Sequence, residues 1–228
     1  MFGNRLTRKQ RTEQLLKKHN IAINPNLPEI EPEEKARIKS PEEIVRRAVT
    51  AFITAQIAID ICNDNGAAES VEFFTPIMER FGLMGELTDD ERIYFDPSEC
   101  ENISQDEAYQ MQWRLEMCVP LFWACGYMKK LEFPDEMTDT VDQIHLIGGC
   151  DDFKELMSRV KMRSASEILD SADAIFRMDW ACVEARLKND ASLSGDLNSD
   201  VVVEQHKGFN WLIGAYDAED WDSVAPHT

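Results

Sequence analysis

The chain has 228 residues, 43% of them hydrophobic, and its 24 Lys and Arg stand against 43 Asp and Glu for a formal net charge of −19. Such a length and apolar content suit a globular protein with a real core, while the charge opposes binding of nucleic acid or anionic lipid by the acidic body. The longest apolar run, Met117 to Met128, falls far short of the roughly 20 residues of a spanning helix, and the basic start lacks the apolar stretch of a secretory signal, so a soluble cytoplasmic protein without a membrane partner is expected.

The charge is unevenly placed. Residues 1–47 hold 11 Lys and Arg against 7 Asp and Glu, and the remainder holds 13 against 36. Residues 1–23, with Arg5, Arg8, Lys9, Arg11, Lys17 and Lys18, read as a short basic helix that is solvated or docks on the acidic body, with contact to phosphate as the alternative. Residues 24–39 contain Pro25, Pro28 and Pro32, which cannot continue a helix, and read as a Pro-rich linker. No comparable break follows, so residues 40–228 are expected to form one compact multi-helix domain of an all-α protein.

Helix starts recur along that domain. In Ser40-Pro41-Glu42-Glu43 a capping serine is followed by proline at the first helical position and by glutamate at the third, predicting a helix that ends near Asn65-Gly66. The same spacing returns at Thr88 and Glu91, Ser104 and Glu107, and Ser164 and Glu167. The helix from Ser104 to about Met128 turns apolar on every side after Met117, as a central buried helix would, and Pro120 should bend it.

The six cysteines include no C-x-x-C pair and read as reduced core thiols. Phosphate-loop, dinucleotide, serine-hydrolase and zincin signatures are absent, so no cofactor and no metal is expected. Asp196-Leu197-Asn198-Ser199-Asp200 opens like a calcium loop, but Val201 replaces the needed glycine and Lys207 the bidentate glutamate.

Polar residues then appear where apolar ones are expected. The helix opened by Ser164 carries the stripe Ile168, Leu169, Ala172, Ile175, Phe176, Cys182, Val183 and Leu187, with Asp179 inside it and Arg186 seven residues on. A carboxylate facing a core needs a partner. In VVVEQHKGFNWL, residues 201–212, a helical wheel puts Val202, His206, Phe209 and Ile213 on one face. Gln205 lies on one flank, Asn210 and Val203 on the other, and Glu204, Lys207 and Trp211 point away. Asp179, Arg186, His206 and Asn210 are therefore the candidate site, in which Asp179 would orient His206 either as a general base or as part of a structural network.

The segments Trp113 to Pro134, Ser164 to Arg186, Val201 to Gly214 and the closing WDSVAPHT together resemble the bacterial family of domain of unknown function 4272, over most of the chain. The resemblance implies an intracellular bacterial protein and names no substrate. Family sequences commonly resemble Glu-Arg-His where this chain has Glu204-Gln205-His206, and Asp-Thr where it has His227-Thr228. The functional expectation is a non-enzymatic acidic module that binds a basic protein partner, as an immunity protein binds a toxin. The alternative is an enzyme, such as a hydrolase, built on His206 and Asp179.

Overall fold

The computed structural model describes residues 6–30 and 32–228; Arg5 of the expected basic helix, and the reading of the first five residues, lie outside them. Among the described residues there are ten α-helices and no strand. They are α1 (Arg8–Lys18), α2 (Pro41–Cys62), α3 (Ala67–Phe81), α4 (Asp89–Phe95), α5 (Gln105–Gln112), α6 (Arg114–Ala124), α7 (Val141–Gly148), α8 (Phe153–Ser158), α9 (Ala165–Lys188) and α10 (Ser199–Ile213). No helix among them is long and apolar enough to cross a membrane.

The capping signals start helices where the sequence places them. Ser40, Thr88, Ser104 and Ser164 each accept the backbone N–H three residues on, and the glutamate at that position accepts the N–H of the cap in return. Thr7 and Gln10 close a fifth such box at α1. These reciprocal bonds satisfy two otherwise orphaned donors per helix.

The helices pack in a chain of neighbours. α1 lies on α9, α9 on α10, α10 on α6, and α6 on α2, whose other sides take α3 and α5. α6 is enclosed along its length from Leu115 to Ala124, as the apolar run requires. The expected single helix from Ser104 to Met128 is, however, two helices. Its ladder is interrupted at Trp113, seven residues before Pro120, where Trp113 accepts the N–H of Glu116 in a tighter turn. The change of direction lets α5 lie on α2 while α6 runs between α2 and α10. Pro120 sits inside α6, which ends at Ala124 because Gly126 turns to φ +78°, with Lys161 O only 2.5 Å from where a Cβ would stand.

α1 and the linker belong to the same core. Leu16 and Ile21 are buried in it, and Ile23, Ile30 and Ile38 pack against it. Arg8 and Arg11 both reach Asp170 of α9. The linker is held along its length: Arg177 donates to Pro28 O, and the N–H groups of Arg37 and Lys39 donate to Ile213 O and Leu212 O at the end of α10.

α10 meets α6 at Gly208, where an added Cβ would stand 2.3 Å from Met117 O. That oxygen belongs to the α6 backbone and cannot turn aside. Gly208→Ala should therefore destabilise the protein by about 1–3 kcal/mol, although alanine alone would favour the helix by about 1 kcal/mol. Urea unfolding checks this, and a variant more stable than the parent would contradict the close crossing.

Candidate functional site

The site lies where α9 and α10 cross beneath the linker. The expected stripe of α9 is buried at Ile168, Leu169, Ala172, Ile175, Phe176 and Cys182. It stops there: Val183 is half-buried and Leu187 is 74% exposed, because nothing covers the last turn of the helix. On α10, Val202, His206, Phe209 and Ile213 all face the core as the wheel places them.

Asp179 and His206 meet across this crossing. Nδ1 of His206 lies 2.8 Å from Asp179 Oδ2, and both residues are almost fully buried. A carboxylate only accepts, so Nδ1–H donates, and whenever the ring is neutral the lone pair lies on Nε2. No protein group among the described residues engages Nε2. The Phe176 ring, 5.9 Å from the imidazole centre, supports it from one side.

The pair forms a partition between two cavities. His206 borders one of 260 Å³, together with Phe176 and Ala172 of α9, Asn210 and Ile213 of α10, and Pro28, Glu29 and Ile30 of the linker. Asp179 borders the other, of 450 Å³, with Cys182, Arg186, Ser199 and Asp200 among its walls. Asn210 thus shares the first cavity with His206, but its Nδ2 donates to Ala225 O at 3.1 Å and does not reach the pair. Arg186 does not join the others: its side chain is exposed, and its guanidinium has no ion pair or hydrogen bond among the described residues. Of the expected quartet, the structure unites Asp179 and His206, sets Asn210 beside them and leaves Arg186 at the rim of the opposite cavity.

The rim of the 260 Å³ cavity also includes Ala215 and Tyr216. Tyr216 has φ +54° and Asp217 φ +56°. A bulky residue in left-handed backbone costs about 1 kcal/mol, and such strain gathers at ligand sites.

The other polar residues of the 201–212 segment serve packing. Gln205 Nε2 donates to Glu116 Oε2 at 3.0 Å, and Glu116, fully buried in α6, also accepts from Thr138 N–H and Oγ1–H at 2.6 and 3.0 Å. This is a polar lock between α10 and α6. Trp211, expected to point away, is buried instead, because the segment after α10 folds back and sets Trp221 edge-on at 5.4 Å. Burial pushes the Glu204 carboxyl up, offset in part by Lys207 Nζ at 2.6 Å.

Two buried ion pairs were not legible as such in the sequence. Arg177 donates to both oxygens of Asp173 at 2.9 Å, with each side chain at most 2% exposed. Arg47 of α2 holds the fully buried Glu91 of α4. The first had a signal in its i, i+4 spacing inside the apolar stripe of α9; the linker wall of the cavity had none.

All six cysteines are free. Burial raises the Cys118 thiol and takes those of Cys125 and Cys182 up to about 12, so none of these three is poised as a thiolate. The calcium-like Asp196–Asp200 stretch instead starts α10: Asn198 Oδ1 accepts the N–H groups of Asp200 and Val201. Among the described residues, no group of three or more His, Cys, Asp or Glu side chains is placed to hold a metal ion.

A family model described as Domain of unknown function (DUF4272) matches residues 8–224. No curated protein and no solved structure matches the chain.

Proposed function

The chain belongs to the DUF4272 family, and from the geometry of its site we propose that it is a non-enzymatic binding module that reads its ligand at the 260 Å³ cavity. The observation that carries this reading is the oriented imidazole: Asp179 fixes Nδ1 of His206 while Nε2 stays unpartnered beside the cavity. A polar atom that no protein group engages beside a cavity is open to a hydrogen bond from a ligand there. The charge of −19 supports a basic partner, since a field of that sign speeds encounter with cations and with basic proteins.

The alternative reading, hydrolysis, uses the same nitrogen as a base toward water. The cavity wall holds no serine, threonine, cysteine or lysine, so a covalent route there would fall to Glu29, His206 or Tyr216. A fragment screen on the full-length ¹⁵N-labelled chain tests the module reading. Hits should shift the amides of Ala172 to Phe176 and of His206 to Ile213, and a screen whose hits all lie elsewhere, or that finds none, would remove it. A fragment consumed by the parent but bound unchanged by His206→Gln would turn the assignment to the enzyme.

A further inference from the structure

The polar groups around this cavity are nearly all acceptors. With Nδ1–H held by Asp179, the neutral His206 ring presents its lone pair at Nε2. Asn210 turns its amide nitrogen away to Ala225 O, so its Oδ1 has no donor among the described residues. Glu29 accepts the Lys9 N–H through Oε1 at 3.1 Å and keeps its second oxygen free. His206 and Asn210 are 1% and 4% exposed, yet neither free acceptor is sealed in the manner of Gln205 Oε1, which has neither partner nor accessible surface. No lysine or arginine borders the cavity. The remaining wall is apolar or aromatic; the Phe176 ring already has the Arg177 guanidinium 5.9 Å from its centroid, and Tyr216 packs on His227 at 4.4 Å.

Three acceptors, one of them a carboxylate, around an apolar chamber call for a ligand that donates. A cavity of about 150 Å³ is enough for benzene, so 260 Å³ takes a single ring or a short aliphatic stem with a polar head. We infer that this cavity is a site for a primary ammonium carried on an apolar stem, its N–H groups donating to His206 Nε2, Asn210 Oδ1 and Glu29 while the stem lies along Phe176, Ala172 and Ile213. The inference rests on reading the cavity as the binding site. The same chemistry reaches it from a free organic amine or from a lysine side chain of a basic partner.

The test is an amide-shift titration of the full-length ¹⁵N-labelled chain, at a salt concentration that screens surface charge, with three probes of one shape: benzylamine, benzyl alcohol and benzoate. Benzylamine should bind at least about tenfold more tightly than benzyl alcohol, with shifts centred on Ala172 to Phe176 and His206 to Ile213, and benzoate should not bind, which corresponds to a differential of about 1.4 kcal/mol or more. Glu29→Gln, at an exposed linker position and with an amide oxygen that can still accept the Lys9 N–H, should weaken benzylamine about fivefold and leave benzyl alcohol unchanged. Nα-acetyl-lysine amide, added as a fourth probe, identifies the source: tighter binding than benzylamine assigns the site to a partner's lysine, weaker binding to a free amine. If benzyl alcohol or benzoate binds at this cavity as well as benzylamine does, the ammonium assignment is overturned while the cavity stands. If no probe shifts these residues, or benzylamine shifts only acidic surface positions, the cavity itself is lost as the site.

Discussion

Replacing Arg177 by methionine should lower the stability of the protein by about 3–5 kcal/mol, because it strands a carboxylate that has no route to water. Asp173 is fully buried on α9, and both its oxygens are satisfied by Arg177 alone, at 2.9 Å. The variant keeps most of the apolar stem of the side chain, so the lost charge outweighs the lost packing. Asp173→Leu with Arg177→Met should recover most of the stability, since a well-packed apolar pair generally replaces a buried ion pair without net cost. One effect should survive in the double variant. Arg177 also donates to Pro28 O at 2.8 Å, and without that bond the linker wall of the cavity loosens. Limited proteolysis should then cut between residues 24 and 39 faster in both variants than in the parent. A single variant that unfolds at the parent's urea midpoint would show that the pair is not buried as described.

His206→Ala should cost about 2–4 kcal/mol, seen as a fall of about 5–15 °C in the melting temperature. The loss has two sources. Asp179, 3% exposed, is left without its partner, and the space of an imidazole opens beside Phe176. His206→Gln keeps a donor for Asp179 and part of the volume, and should recover about half of the loss. It does not restore an imidazole lone pair toward the cavity. Stability that returns with glutamine while amine binding stays absent would separate the two edges of the ring: Nδ1 for the fold, Nε2 for the ligand. A melting temperature for His206→Ala equal to the parent's would mean that Asp179 finds another partner and that the crossing of α9 and α10 does not rely on this bond.

The sequence discloses such a pairing only where periodicity constrains it. Four capping boxes fix the starts of α2, α4, α5 and α9, and once α9 and α10 are wound at 100° per residue, Asp179 and His206 can only face inward. Arg186 follows Asp179 by seven residues and shares its face, yet the helix outruns its neighbours and leaves Arg186 and Leu187 in solvent. Periodicity gives direction around an axis and says nothing about where the cover ends. Asp173 and Arg177 illustrate the reverse. Four residues apart, they have the spacing of an ion pair on any helix, but α1 and the linker close over that side of α9 and bury them. The linker has no period at all. That Pro28, Glu29 and Ile30 make one wall of the cavity depends on bonds to Arg177 and to the end of α10, from parts of the chain roughly 150 residues away.

Those distant bonds bear on the order of events during synthesis. The segment from Leu6 to Ser40 leaves the ribosome early, but its docking surface is α9 and the end of α10, and Arg37 pairs with Asp217, 180 residues later. At about 5–20 residues per second that partner appears roughly 10–40 s afterwards. Leu16 of α1 and Ile21 beyond it, both buried in the core, stay uncovered until α9 has been made. The cavity walled by this segment therefore closes only after α10 has been made and its end has bonded the linker.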